Sequence, residues 1–305
     1  MLYGNEKIKK KFMDDAFKYA EENNLNLILG SIRGSISKGF EYFDSDYDTR
    51  FLFAYKDFPS KIYYTPQADE NETVYRYWPE ETLPYECIPF WEISSFFQHL
   101  ITPGLNNSFS LGIYNTIGST LLSPFVWDPY GIQGKVVPII NSIFVKEYKI
   151  AYHVAEIQNG ILQLNNEYII AKSYLDIIYS ALVIEFCINY GMQPPVHVTA
   201  LAATSKSHQL YSKLKEVITE SRSKAYEYIK EDKNQEKHGA HFSIKVKTND
   251  YLNEYVNTMY KWGQKYMKDY DFLSDERKEE MNRKVMIIYD IINDSLHKPL
   301  IKGIS

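Results

Sequence analysis

The chain has 305 residues, 45% of them hydrophobic and 24% charged, with a formal net charge of −5. This balance fits a folded globular protein with room for two ordinary domains and excludes a disordered chain. The acidic excess argues against non-specific nucleic-acid binding over the whole surface, while leaving room for a local basic groove.

The first eleven residues are charged and lack an apolar core, so no secretory signal is expected and a cytoplasmic location follows by default. Ile8, Phe12, Ala16 and Ala20 recur at helical spacing and predict a helix over Glu6 to Glu22, ended by Asn23-Asn24. The apolar run Leu25 to Leu29 predicts a strand leading into a turn at Gly34-Ser35. Asp46 and Asp48 then open a second strand over Thr49 to Tyr55. Alternate side chains on a strand share a face, so both carboxylates project from one side. Such a pair repels itself unless a cation intervenes, and Mg²⁺, with Mn²⁺ in its place, is the natural partner. The glycine of the turn lets the backbone come close to a ligand, and the neighbouring N–H groups with the Ser35 hydroxyl can hold phosphate oxygens. Together these parts suit a nucleoside triphosphate, ATP being the expected one, held for in-line attack. Two plainer readings compete. A calcium loop starting at Asp44 needs Gly and Glu where Thr49 and Tyr55 stand. An ordinary polar turn before a strand also carries Asp-x-Asp pairs.

Thr73 to Trp78 and Tyr85 to Ile88 predict two more strands, and Glu92 to Ile101 a helix stopped before Pro103-Gly104. Turn residues from Asp128 to Gly131 suggest a boundary between domains 1–130 and 131–305. Beyond it, Ile150, Val154, Ile157 and Ile161 share a helical face, and Glu167 to Tyr190 is apolar nearly all round, the expected centre of a helical bundle. Gly191 caps that helix. Lys172, Asp176 and Tyr179 form a polar stripe on it, either a solvated face or one that puts Lys172 on a nucleotide phosphate. The stretch Ile177 to Ile188 is too short and too interrupted to span a membrane. Tyr251 to Met267 and Ser274 to Leu296 predict the last two helices. The apolar face of the second serves either the bundle or a homodimer. His238 and His241 have a metal-like spacing without a ligand cluster nearby and read as loop residues. The basic residues Lys213, Lys215, Arg222, Lys224, Lys245 and Lys247 line either a groove for phosphates or ordinary helix surface. Cys87 and Cys187 make no metal spacing and read as free thiols.

The segment Gly34, Ser35, Gly39, Asp44-Ser45-Asp46, Asp48 and Arg50 resembles the RNA-repair-associated polymerase-β-like nucleotidyltransferases of bacteria and phages. The earlier Gly30-Ser31 pair fits that motif only with an insertion. Weaker matches follow in order: Trp91-Glu92-Ile93, Ser123-Pro124 with Val126, Lys172 with Tyr174-Leu175, and Gly191 with Pro194-Pro195. The resemblance implies an α+β fold: a polymerase-β-like nucleotidyltransferase core with a small mixed sheet, followed by a C-terminal helical bundle. It implies transfer of a nucleoside monophosphate to an acceptor such as an RNA end. Asp46, Asp48 and Glu86 would be the metal-binding and catalytic acids, Gly34 and Ser35 would hold the β- and γ-phosphates, and Lys172 and Tyr179 would bind nucleotide. The chain departs from the pattern at Cys87, where the family has its third acid one position after Glu86, and at Tyr179 and Glu185, where arginines are expected. Those departures support a rival reading, a nucleotide- or RNA-binding protein without catalysis. A second rival is a nucleotidyltransferase acting on a partner protein.

Overall fold

The computed structural model describes residues 6–41, 45, 48–56, 74–77, 88–98, 108–205, 207–231, 244–268 and 274–297. Helix α1 (Glu6–Glu22) precedes strand β1 (Leu25–Ile32), and Asn24 joins them in a left-handed conformation, φ 56°. A short helix α2 (Gly34–Lys38) leads toward β2 (Thr49–Tyr55). Strands β3 (Val74–Tyr77) and β4 (Ile88–Glu92) follow, then helices α3 (Ile93–Gln98) and α4 (Ser108–Leu121), and a two-residue strand β5 (Val126–Trp127). The five strands form a mixed sheet in the order β3-β4-β2-β1-β5, in which β2 and β4 run parallel and the other neighbours antiparallel. The chain is therefore α+β with a small mixed sheet.

Side-chain alternation in this sheet decides which helices cover which face. Leu25, Leu27, Phe51, Phe53 and Phe90 pack with Phe12, Ala16 and Ala20 of α1. On the other face, Leu52 and Ala54 join the helical core. A bulge between Leu27 and Leu29 lets both Ile28 and Leu29 join that second face. Gly30 and Ser31 lie inside β1, where the Phe51 ring packs so close to Gly30 that a Cβ would meet it at 2.6 Å.

The rest of the described chain is mainly helical: α5 (Gln133–Ser142), α6 (Lys146–Gly160), α7 (Ala171–Tyr190), α8 (Val198–Thr204), α9 (His208–Glu231), α10 (Asp250–Lys268) and α11 (Asp275–Leu296). Helix α7 is the hub: Ile178, Ala181, Val183 and Ile184 are fully buried, and it packs on α6 and α10. Gly191 ends it at φ 65°, a left-handed position that glycine adopts without strain. Ser274 caps α11, its hydroxyl accepting from the Arg277 N–H. One apolar cluster runs from Ile28 to Ile292 and crosses residue 130 without a break.

Several expectations change. The helix foreseen from Glu167 begins at Ala171, because β6 (Tyr168–Ile170) pairs with β7 (Lys245–Lys247). Residues 85–87 lie outside the described residues, and the strand continues to Glu92, which shortens the following helix to Ile93–Gln98. Glu185 is part of the packing: it accepts hydrogen bonds from Tyr255 at 2.7 Å and Ser205 at 3.3 Å, tying α7 to α10 and to the end of α8. The homodimer face is also corrected. Met281, Val285, Ile288 and Ile292 are at most 1% exposed and sit in the common core, so they are not available to a second copy. The basic groove is corrected as well: Lys213, Lys224 and Lys247 pair with Glu216, Glu220 and Glu167, while Arg222 pairs with Glu41. His238 and His241 lie outside the described residues. Among the described residues, no helix is long and apolar enough to cross a membrane.

Candidate functional site

Strand parity positions the site. Asp48 has the same parity as Leu52 and Ala54, so it belongs to the sheet face that meets the helices. The backbone N–H of Arg33 donates to the Asp48 carbonyl at 2.6 Å, continuing the β1–β2 ladder past the last strand residue. This brings the end of β1 beside the start of β2. Gly34 follows at φ 65°, and a Cβ there would collide with the Asp48 carboxylate. Glycine is thus required twice at this position, by backbone conformation and by the carboxylate packed over it. Ser35 donates to the Ser45 hydroxyl at 3.3 Å, joining the turn to the acidic motif.

Asp48 and Gly34 open onto a cavity of about 220 Å³ between the sheet and the helices. Its walls are polar stripes on otherwise apolar helices. Helix α4 contributes Asn115, Thr116 and Ser119; α6 contributes Lys149, Tyr152, His153 and Glu156; α7 contributes Asp176, Tyr179 and Ser180. From the motif side come Arg33, Ser37 and Lys38. On α6 the spacing i, i+3, i+4, i+7 puts all four residues on one face.

The charges around the cavity are partly paired. Lys38 reaches across to Asp176 at 2.7 Å and lies 5.0 Å from the centre of the Tyr179 ring. Arg33 donates to Ser119 and Thr116, each at 3.2 Å. Burial lowers its pKa, and the nearby Asp48 charge works against that. Arg50 stacks over Trp91 at 4.1 Å, and among the described residues its Nε and Nη1 groups find no acceptor. Burial, reinforced by Arg33, pushes the Arg50 pKa well down, while Asp48 opposes the shift. Partial desolvation, with Asp176 beside it, raises the Glu156 carboxyl.

His153 accepts or donates at both ring nitrogens, to Ser180 at 3.0 Å and to the Asn115 side chain at 3.2 Å. Burial, then Lys149 and Lys38, holds it well below the ordinary histidine value, so it is neutral. Lys149 is 5% exposed and donates to the Asn115 carbonyl at 3.2 Å. Burial brings its pKa down to about 8 from 10.5, with Arg33 and Lys38 pushing the same way and Cys187 opposing. A cation with a depressed folded pKa penalises folding while both states carry the proton, and the penalty fades as the folded state releases it first. Stability therefore rises with pH from about 8 to 10.5 through this group. The size is on the order of 3 kcal/mol. Tyrosine ionisation in the unfolded chain acts oppositely above pH 10, so the comparison is with Lys149→Met. Urea midpoints at pH 7 and pH 10 should show the wild type gaining on the variant, and an unchanged difference would mean that Lys149 is not desolvated.

Of the residues singled out in the sequence, Gly34, Asp48 and Tyr179 line this cavity, together with Asp176. Ser35 adjoins it through Gly34. Lys172 is half-buried near the start of α7 and is not among the lining residues. Asp46 and Glu86 lie outside the described residues. Among the described residues no three carboxylate, imidazole or thiol groups gather to hold a metal. Asp48 supplies an exposed oxygen donor at the cavity, which suits a hard divalent cation in kind. Sequence reading missed Arg33, Lys38, Lys149 and His153. The stripe from Lys149 to Glu156 was visible as a helical period, but only packing shows that it faces Asp48. No family model matches the chain, and no curated protein matches it.

Proposed function

We propose that the chain transfers a nucleoside monophosphate from a triphosphate, ATP being the expected donor, to a hydroxyl at an RNA end. The observation that carries this reading is the Gly34–Asp48 contact, which sets a carboxylate against a ligand-accessible turn at the mouth of a cavity lined by Arg33, Lys38 and Lys149. The sheet supports a polymerase-β-like core, since the turn ends β1, the acidic motif starts its antiparallel neighbour β2, and β4 lies parallel beside β2.

In this reading Gly34 and Ser35 admit the β- and γ-phosphates close to the backbone, and Arg33 and Lys38 balance their charge. Asp48, with Asp46 and Glu86, would hold Mg²⁺ or Mn²⁺, which when bound supplies positive charge at the phosphate oxygens. Glu86 accepts the proton of the attacking hydroxyl. The new bond joins that oxygen to the α-phosphorus, and the bond to the pyrophosphate oxygen breaks. Tyr179 offers a ring beside the Lys38 ammonium for nucleotide contact. Lys172, which does not line the cavity, has no phosphate role here.

The test is incubation of the full chain with each α-labelled triphosphate, Mg²⁺, total RNA and cell lysate. Label on RNA with release of pyrophosphate is the expected result. Label on a protein instead would move the acceptor to a polypeptide. Absence of label anywhere, with nucleotide binding that ignores the metal, would favour a non-catalytic nucleotide-binding protein.

A further inference from the structure

The cavity has an open and an enclosed end, and the two differ in charge. Asp48 and Glu156 are exposed at the mouth, whereas Lys149, His153 and Ser180 are at most 5% exposed. At the mouth, cations meet acids: Lys38 pairs with Asp176, and Asp48 acts on Arg33. At the enclosed end Lys149 has a backbone carbonyl for a partner and no carboxylate among the groups that act on it. The charges it feels, Arg33 and Lys38, are both positive, and the thiol that opposes them, Cys187, is held neutral by burial. A buried ammonium without a counter-charge is costly, and a methionine of similar size would avoid that cost. Three further groups around it suit an anion: the Ser180 hydroxyl, the Arg33 guanidinium and the neutral His153 ring.

We infer that the enclosed end of the cavity, walled by Lys149, Ser180 and His153 with Arg33 beside them, is a binding site for a phosphoryl anion. The anion is either the terminal phosphates of a nucleoside triphosphate or free pyrophosphate. For the first source the inference rests on the nucleotidyl-transfer reading; for the second it stands without it. The bound anion neutralises Lys149 and gives its remaining N–H donors acceptors. The triphosphate thus enters tail first, with its α-phosphorus left toward Asp48 at the mouth. This gives the cavity a preference for ligands by phosphate number, whatever the base.

The experiment is titration calorimetry of pyrophosphate, ATP and AMP into the full chain in EDTA, for the wild type, Lys149→Met, Ser180→Ala and Lys172→Gln. Loss of the charge-assisted contact in Lys149→Met should weaken pyrophosphate and ATP by about ten-fold or more and AMP far less. Ser180→Ala should weaken the same two ligands by about three-fold, as for one neutral hydrogen bond. Lys172→Gln should leave all three affinities unchanged. Lys149→Met removes a buried charge and keeps the apolar stem, and its urea midpoint shows whether it is folded. Pyrophosphate binding that depends on Lys149, in a protein that labels no acceptor, would uphold this site and sink the transfer reading. ATP binding that depends on Lys149, without pyrophosphate binding, would restrict the site to the nucleotide tail. Equal affinity of wild type and Lys149→Met for both ligands, or no phosphoryl anion bound by the wild type, overturns the inference. Nucleotide transfer could still be present in that case.

Discussion

Asp48→Asn should reduce nucleotide transfer by about a thousand-fold or more while leaving the protein folded. The substitution keeps shape and removes the one described carboxylate that faces both the Gly34 turn and the cavity. Its effect on stability differs from what two adjacent acids suggest. Relief of carboxylate repulsion alone would stabilise the chain, but Asp48 also acts favourably on Arg33 and Arg50, both buried. Losing that charge leaves two guanidinium groups near each other without it. Asp48 is exposed, so solvent screens the effect, and a fall in Tm of about 2 °C is expected. Asp46→Asn, on the motif's other acid, should show the same loss of transfer. Initial rates with labelled triphosphate and a thermal melt decide the matter. Transfer at the wild-type rate in Asp48→Asn would remove Asp48 from the chemistry.

Gly34→Ala is the second large effect. Alanine at φ 65° costs about 1 kcal/mol in backbone strain alone. Its Cβ also occupies the place of the Asp48 carboxylate, so either the turn or the acid must move. A displacement of about 1 Å near a reacting centre can cost about a hundred-fold, and transfer should fall by at least that much. The matched control is Gly134→Ala in α5, where a Cβ meets nothing within 4 Å and φ is not positive. That variant should retain full transfer and an unchanged or slightly raised Tm, as expected for alanine in a helix. A Gly34→Ala protein that melts lower but transfers at the wild-type rate would show that the turn matters for folding and not for the site.

Two contacts explain why the motif holds its shape. Arg222 of α9 donates to the carbonyls of Gly39 and Glu41, at 3.2 Å each, and to the Glu41 carboxylate at 3.0 Å. Gly39, at φ 83°, lets the His197 ring approach where a Cβ would collide. The segment just after α2 is thus gripped from the helical side by residues more than 150 positions away. Arg222 had been grouped with surface cations in the sequence, where charge alone gives no sign of the partner it finds.

Local pattern was enough for the elements whose structure depends on neighbours in sequence. The alternation Thr49 to Tyr55, the helical period from Glu6 to Glu22, the glycine after Tyr190 and the serine before Asp275 each contain their own physical cause. The Gly34-Ser35 turn and the Asp-x-Asp motif were legible for the same reason, as was the choice of Gly34 over Gly30. The tertiary structure decided the rest. Strand β6 exists only because Lys245–Lys247 lies beside it, and its three residues have no period of their own. Tyr179 reads as polar stripe and is 7% exposed, because Phe40 and Lys38 from the motif side pack on it. Lys172 and Lys149 are both lysines on helices beside apolar faces, and composition cannot separate them. Lys149 lines the cavity and Lys172 does not, because the rotation of each helix is set by how its apolar face packs against the others, a condition imposed by the whole core at once.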